Sequence, residues 1–504
     1  MALAEYFDRA AQAAAHAIAG FDPGAFRDTL ERAHVGVTFG AQAATRAEGR
    51  ALLDLTVRLL ARLYPSVRIA TDSRGGLDAD LAATAREINP RIDISEGEVS
   101  HVIVVGDDAP RVGRVAFFVG SEQWQFGFSA ATPISVGRSP NPIGAGGAAC
   151  LGAANLFRSI VQPTPQLDRD LRVSVAELLA GAGVVPDLRD VRDDGRTALA
   201  GLGAIGNGVV WTLARTPLEA TLHTVDAQVH ELSNLQRYVL PRVADVGKAK
   251  VDLAREHLAA GAGRITCVPH RMRWGAFVNA EGFTWDRVLV ALDSAHDRRL
   301  LQSSLPRWIA NGWTQVGDLG VSTHRFDGSG PCLICLYLEH GQVMSEDEQV
   351  VRAFGLSVDD PHLKLVRDLL YRGAPPPRTL LEEISHARSV DMTLLEPYAE
   401  RPLRALYVDG VCGGGVISLS QQATPGRDAH VPLAHQSALA GIFIAAAYLL
   451  DVLGIRRDTR QLLHLNPMRR FPDEPVREFT KDARCVCNDE AFVGAYRAKY
   501  PPRA

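Results

Sequence analysis

No apolar run in this chain is long enough to cross a bilayer. The longest, Ala438 to Leu450, falls short of the roughly 20 residues a spanning helix needs and is closed by Asp451. It is expected as a buried helix. An excess of charge of one sign is also missing: 54 Lys and Arg stand against 58 Asp and Glu, a formal net charge of −4, with no long basic block. That argues against nucleic acid as a partner, and a mean hydropathy of −0.02 argues against a membrane. The N-terminal MALAEYFDRAAQ carries acids and lacks an apolar core with a cleavage site, so no signal peptide is expected and a cytoplasmic location is the default. Cysteine is scarce. Seven in 504 residues cannot form a disulfide scaffold, and in a reducing compartment their use should be chemical. There is no His-Glu-x-x-His, no Gly-x-Ser-x-Gly elbow and no P-loop, which leaves His296 and His324 as structural or peripheral. What is present is an ordinary globular composition, 46% hydrophobic, with length for two to four domains.

The segment TALAGLGAIGNGVVWTLARTPLEATLHTVD, residues 197–226, predicts a strand, a tight glycine turn, a helix and a second strand. Gly201, Gly203 and Gly206 spell Gly-x-Gly-x-x-Gly, where missing side chains let backbone N–H groups and a helix N-terminus approach a phosphate. Asp226 follows 20 residues beyond Gly206, placed to bind ribose hydroxyls. By itself this favours a dinucleotide dehydrogenase. The N-terminal part repeats the pattern in degenerate form: AHVGVTFG, EGRALLDLTVRLLARLYP and SVRIATD predict strand, helix and strand, and AREINPRIDIS and HVIVVGD echo AGRITCVPH and RVLVALD. The glycine triplet is lost there, because Gly40 is followed by AQAATRAEG. Pro163 and Pro165 mark a linker, followed by a short helix in VSVAELLAGAG, and Pro375 to Pro377 break the chain a second time at a surface loop.

Two cysteine pairs stand far apart, Cys332 with Cys335 as Cys-x-x-Cys and Cys485 with Cys487 as Cys-x-Cys. Each pair can supply two corners of a tetrahedral zinc site, which would staple the end of the chain to its middle. Cys150 and Cys267 are expected in packing.

The stretch VDAQVHELSNLQRYVLPRVADVGKAKV overrides the dehydrogenase reading. Ser233, Asn234, Leu235, Gln236 and Arg237, preceded by Asp226 and followed by Lys250, resemble the ThiF/MoeB superfamily, the adenylyltransferases that include ubiquitin-activating enzymes. The similarity spans roughly residues 197–488. It implies ATP and Mg2+ as cofactors, with ATP bound by Gly201, Gly203, Gly206, Asp226, Asn234, Arg237 and Lys250, and magnesium by Asp293. Family members often carry Asn after that acid and Arg five residues beyond it; here Ser294 and Arg298 stand at those positions. The charges suit the chemistry, since attack by one anion on the α-phosphate of another needs positive charge where pentavalent phosphorus develops. The family often carries Cys-x-x-Cys twice as a structural Zn2+ site, and four thiolates would leave no open position for catalysis. Relatives that pass an activated carrier to a thiol have a cysteine just before a Gly-Val pair, which here is Cys412 ahead of Gly415 and Val416.

The resemblance implies an α/β protein of two Rossmann-like, ThiF-type adenylation halves: a degenerate, inactive one at 1–165, a linker at 166–195, and an active one at 196–504 with the cysteine loop and the zinc site. The implied function is that of an activating enzyme of a bacterial ubiquitin-like conjugation operon of antiviral type. Such an enzyme adenylates the C-terminal glycine of a small β-grasp ubiquitin-like protein, takes it onto Cys412 as a thioester and hands it to a conjugating enzyme. The first half is expected to bind no ATP and to lend the active half an arginine, Arg46 or Arg50. A sulfur-carrier adenylyltransferase of thiamine or molybdopterin synthesis, a peptide-adenylating enzyme of antibiotic biosynthesis, and a scaffold or dinucleotide-binding oxidoreductase stand as rivals.

Overall fold

In the computed structural model, β-branched runs such as HVGVTF and HVIVV form strands buried on both faces, the pattern of parallel sheets covered by helices. The structure describes residues 23–501 apart from 74, 95–96, 163, 182, 316, 329, 339–344, 408–409, 411–431 and 456–460. The first sheet contains β1 (His34–Phe39), β2 (Ser66–Thr71), β3 (His101–Val105), β4 (Val115–Glu122), β5 (Gln125–Ser129) and β6 (Leu171–Ser174) in the order β2-β1-β3-β4-β5-β6. The second contains β7 (Val191–Ala200), β8 (Leu218–Val225), β9 (Arg264–His270), β10 (Arg287–Val290), β11 (Ile309–Gln315), β12 (Asp318–His324), β13 (Gln461–Leu465) and β14 (Val476–Glu478). Its order is β9-β8-β7-β10-β11-β12-β13-β14.

The two orders superimpose. Strands β2, β1, β3, β4, β5 and β6 take the places of β8, β7, β10, β11, β12 and β13, and in both sheets the pairing changes from parallel to antiparallel after the fourth member of that series. The place of β9 is held in the first sheet by a single parallel bridge between Ser66 and Asp93, within the stretch expected to echo β9. Each half also sends a long Ala-rich helix back across its sheet before the last matched strand, Ile143–Val161 in the first and Ala434–Val452 in the second. These helices pack on each other, and nearly every residue of Ala434–Val452 is buried, so the apolar run is a core helix.

Two boundaries differ from the sequence expectation. Residues 166–195 do not form a free linker: β6 pairs with β5, Ser174 caps the short helix Val175–Ala180, and Asp168 is fully buried against Arg158 at 2.6 Å. The prolines that suggested a connector precede a segment held by a buried ion pair, which is costly to break once its charges are out of water. The second difference is that the C-terminal half is interrupted. One compact unit comprises Met1–Leu338 with Pro432–Ala504, and Glu339–Val431 forms another. The described part of that second unit is helical, with Glu346–Ala353, Asp360–Arg372 and Arg378–Arg388 packing around Val350, Phe354, Leu380 and Ile384. Gly373, left-handed at φ 62°, ends the second helix, and Pro375 to Pro377 make the turn to the third.

Candidate functional site

Strand β7 runs directly into Gly201, whose φ of 90° favours glycine and where a Cβ would lie 2.5 Å from the Ala291 carbonyl oxygen. The chain then enters helix Ala204–Arg215, where a Cβ on Gly206 would lie 2.2 Å from the carbonyl oxygen of Gly201. Gly203 is different: a Cβ there meets only the Tyr238 hydroxyl, at 3.5 Å, so its missing side chain leaves the front of the turn open. The helix N-terminus therefore opens at the carboxyl edge of the sheet, where α/β sheets bind ligands.

Two acids share that edge. Asp226, just beyond β8, accepts the Leu202 N–H on Oδ2 and the Gln228 N–H on Oδ1, both at 2.8 Å. Asp293, three residues beyond β10, is exposed and has no hydrogen-bond partner among the described residues. Because β8, β7 and β10 are neighbours and Gly201 abuts residues 291–292, the turn and both acids lie together. Ser294, where relatives carry Asn, caps the next helix by accepting the Asp297 N–H. Arg298 is buried and donates to the carbonyls of Leu292 and Gly312, so it braces the strand ends.

The cations come from the connection after β8. Asn234 shapes the short helix Leu232–Gln236, its Oδ1 accepting the Glu231 N–H at 3.1 Å, and this delivers Arg237 at its end. One guanidinium nitrogen of Arg237 is buried with no partner among the described residues. Lys250, only 4% exposed, opens helix Lys250–Ala259 and donates to Gln228 Oε1 at 2.6 Å and to the Tyr238 hydroxyl at 3.1 Å. Burial opposes its charge, but Tyr238 and Asp226 outweigh that and raise its pKa, so the ammonium persists. Nearby His230 is pushed down to about 4, first by burial and then by Lys250, and is neutral.

Sequence reasoning missed three residues here. The Tyr238 ring lies under both cations, 5.4 Å from the Arg237 guanidinium carbon and 5.2 Å from Lys250 Nζ. Asn207 donates to the Leu202 and Gly203 carbonyls and accepts the Leu240 N–H, tying the glycine turn to the segment after Tyr238. Gln228 is the acceptor for Lys250. The available signal was adjacency, since each stands within two residues of a motif position.

Away from this edge, Cys332, Cys335, Cys485 and Cys487 come together, all four sulfurs lying within 4.8 Å of one another and all buried. Neighbouring sulfurs are 3.4 to 3.9 Å apart. A tetrahedron with Zn–S bonds of about 2.3 Å has edges of roughly 3.8 Å, so the donor set fits zinc, and the one-residue spacing of the second pair does not prevent closure. Cys150 is buried in helix Ile143–Val161 and Cys267 accompanies Thr224 between strands. His324 is buried beside the Pro331 carbonyl and pushed down to about 4 by that burial. Cys412 lies outside the described residues, as do Gly415 and Val416.

In the first half the equivalent turn is closed. A Cβ on Gly40 would lie 2.3 Å from the Asp108 carboxyl carbon, and Asp108 Oδ2 accepts the Gln42 N–H at 2.8 Å. Asp108 stands three residues beyond β3, as Asp293 stands three beyond β10, and its carboxylate takes the N–H that a phosphate would need. Arg46 donates to the Val136 carbonyl of its own half at 2.5 Å, while Arg50 is exposed. Other arginines of this half do cross to the second, among them Arg58, Arg62 and Arg158.

Comparison with known proteins gives two family matches. The ThiF family matches residues 177–469, more than half of the chain, and "Prokaryotic E2 family C" matches residues 38–162. An uncharacterized protein, y4jF of Sinorhizobium fredii, is 41% identical across 99% of this chain and 98% of its own length. The adenylyltransferase and sulfurtransferase uba4 of Aspergillus terreus is 29% identical over 34% of this chain and 38% of its own. Among solved structures, E. coli MccB with MccA-N7isoASN aligns at 15% identity and a TM-score of 0.36, covering 58% of this chain and 67% of that one. The chain belongs to the ThiF family of ATP-dependent adenylyltransferases.

Proposed function

We propose that this enzyme activates the C-terminal glycine carboxylate of a small ubiquitin-like, β-grasp protein. The observation that carries the reading is the gathering of an open glycine turn, two acids and a buried lysine at one sheet edge, with an arginine nitrogen left unpartnered beside them. ATP phosphates would meet the N–H groups after Gly201 and the charges of Arg237 and Lys250, with the ribose on Asp226. Asp293, an unpaired carboxylate at the strand end, fits magnesium, which binds through one or two carboxylates besides phosphate oxygens and, when bound, neutralises charge developing on them.

The reaction balances as follows. A carboxylate oxygen of the carrier attacks the α-phosphorus, the bond to the β-phosphate breaks, and pyrophosphate leaves. Arg237 and Lys250 hold compensating charge in place throughout. The Cys412 thiolate then attacks the acyl carbon, AMP departs, and the thioester formed can be accepted by the thiol of a conjugating enzyme. Zinc on the four paired thiols would hold the C-terminal segment and take no part in these steps.

We assign the first half as a degenerate adenylation domain without nucleotide. The matched strand order, the bridge at Asp93 and the closed turn at Asp108 support that assignment. Its family match raises a second reading, that this half is itself a conjugating centre. Its sole cysteine within 38–162 is Cys150, which is 1% exposed and whose pKa burial drives far upward, so it lacks the accessible thiolate that transfer requires.

Incubation with ATP and candidate ubiquitin-like proteins, read on a non-reducing gel, tests the proposal. A reductant-sensitive adduct is expected from the native enzyme, and Cys412→Ala should keep ATP–pyrophosphate exchange while losing the adduct. Exchange without any adduct in the native enzyme favours a sulfur-carrier adenylyltransferase.

A further inference from the structure

Residues 238–241 join Arg237 to the Lys250 helix as an irregular segment, with no ladder of their own to satisfy their carbonyls. The donors come from the other half of the molecule. Helix Ala47–Ala61, with the residue that follows it, presents Asp54, Arg58 and Arg62 at i, i+4 and i+8, a single stripe. Arg62, 1% exposed, donates from Nε to the Tyr238 carbonyl at 2.6 Å and from a terminal nitrogen to the Pro241 carbonyl at 2.7 Å. Arg58 reaches the carbonyls of Val239 and Leu240, each at 3.3 Å. Four successive carbonyls are thus held by two guanidinium groups. Asp54 completes the stripe: it bonds Arg58, accepts the Trp211 indole N–H at 2.9 Å, and pairs with Arg215 at 2.6 Å at the end of the helix that begins at the glycine turn.

Both ends of the clamped segment lead to the site. Tyr238, gripped at its carbonyl by Arg62, accepts from Lys250 through its hydroxyl and lies beneath Arg237. Leu240, gripped by Arg58, donates its N–H to Asn207, which bonds the glycine turn. We infer that the nucleotide-free first half is a built-in positioning element for adenylation, and that Arg62 is a positioning residue acting through Tyr238 on Lys250 and Arg237. A planar guanidinium can satisfy two carbonyls at fixed separation, and an ammonium cannot.

This rests on the adenylation reading, and ATP–pyrophosphate exchange with a cognate carrier separates the two. Absence of exchange in the native enzyme defeats adenylation itself. With native exchange established, Arg62→Met in the full chain is expected to lower kcat at least tenfold while changing the KM for ATP less than threefold, because the ribose and glycine contacts persist. Arg62→Lys should recover only part of that loss. A folded Arg62→Met variant with kcat within twofold of native overturns the inference, as does a loss that appears only as a raised KM. Should Arg62→Met fail to fold, Arg62→Lys decides: a kcat at least threefold below native in a protein of native melting temperature supports positioning, and any smaller loss, or failure of this variant to fold as well, assigns Arg62 to stability alone.

Discussion

Lys250→Met tests the electrostatic core of the site most sharply, because the change keeps much of the side-chain volume and removes only the ammonium. In the folded enzyme that ammonium is buried with Gln228 and Tyr238 as its acceptors, and its pKa is raised above the ordinary 10.5 by Tyr238 and Asp226 against the opposing effect of burial. Removing one preorganised donor from a transition state of this kind costs about 2.7–4 kcal/mol, a factor of roughly 10² to 10³ in kcat. The buried Tyr238 hydroxyl loses its donor, at about 1–3 kcal/mol, while the exposed Gln228 can turn to water, and relief from burying a charge offsets part of the cost, so the fold should survive at 25 °C. The sign of the pH dependence follows from the raised pKa: the charge contributes stability below the unfolded pKa, and that contribution is lost only as pH rises through the higher, folded value. Between about pH 6 and 9 Lys250 is therefore charged in the native enzyme, and the ratio of native to variant rates should be flat across that range. Pyrophosphate exchange measured at several pH values, with a thermal melt of each protein, gives every quantity required. A folded variant with kcat within threefold of native, or a rate ratio that collapses near neutral pH, refutes the assignment.

Asp293→Ala should abolish exchange without altering the fold, since the exposed carboxylate has no hydrogen-bond partner among the described residues; unchanged exchange in a folded variant rules out Asp293 as the magnesium ligand. Freshly purified protein should contain one zinc per chain by elemental analysis, and Cys485→Ser should lower the melting temperature more than it lowers exchange. A metal-free preparation counts decisively against the zinc site. Calorimetry should find one ATP-analogue site per chain, because Asp108 already occupies the Gln42 N–H in the first half, and a stoichiometry near two defeats the degenerate-half assignment.

How much of this could be read from sequence depended on whether a feature is local. Strands such as HVIVV and the turn at Gly201 declare themselves through β-branched runs and through a backbone that tolerates no Cβ, so β1 to β3 and β7 to β10 were visible, with the weak echo of β9 around Asp93, whereas β4, β5 and β11 to β14 were not. Nor was the separate unit formed by the helices from Glu346–Ala353 onward, because amphipathic helices inserted between β12 and β13 have the same periodicity as helices covering a sheet, and nothing in Val350, Phe354 or Leu380 says which core they join. In the same way β6 is four residues long and follows two prolines, so its place is settled by pairing with β5, a contact at a distance along the chain.

The arginine stripe marks the limit most clearly. In ALLDLTVRLLARLYP, charges spaced by four suggest the solvated face of an amphipathic helix, yet Arg58 and Arg62 are 5% and 1% exposed. An arginine buried against a carboxylate leaves a complementary acid somewhere in the sequence, a trace that pattern reading can look for. Asp54 beside Arg58 is such a trace, but the carbonyls these arginines hold leave none, since every residue has a carbonyl and only the fold decides which four, here those of 238–241, receive them. The hydrophobic spacing of the helix shows that one face is covered; that its cover is the segment carrying Tyr238 follows only from docking the two halves.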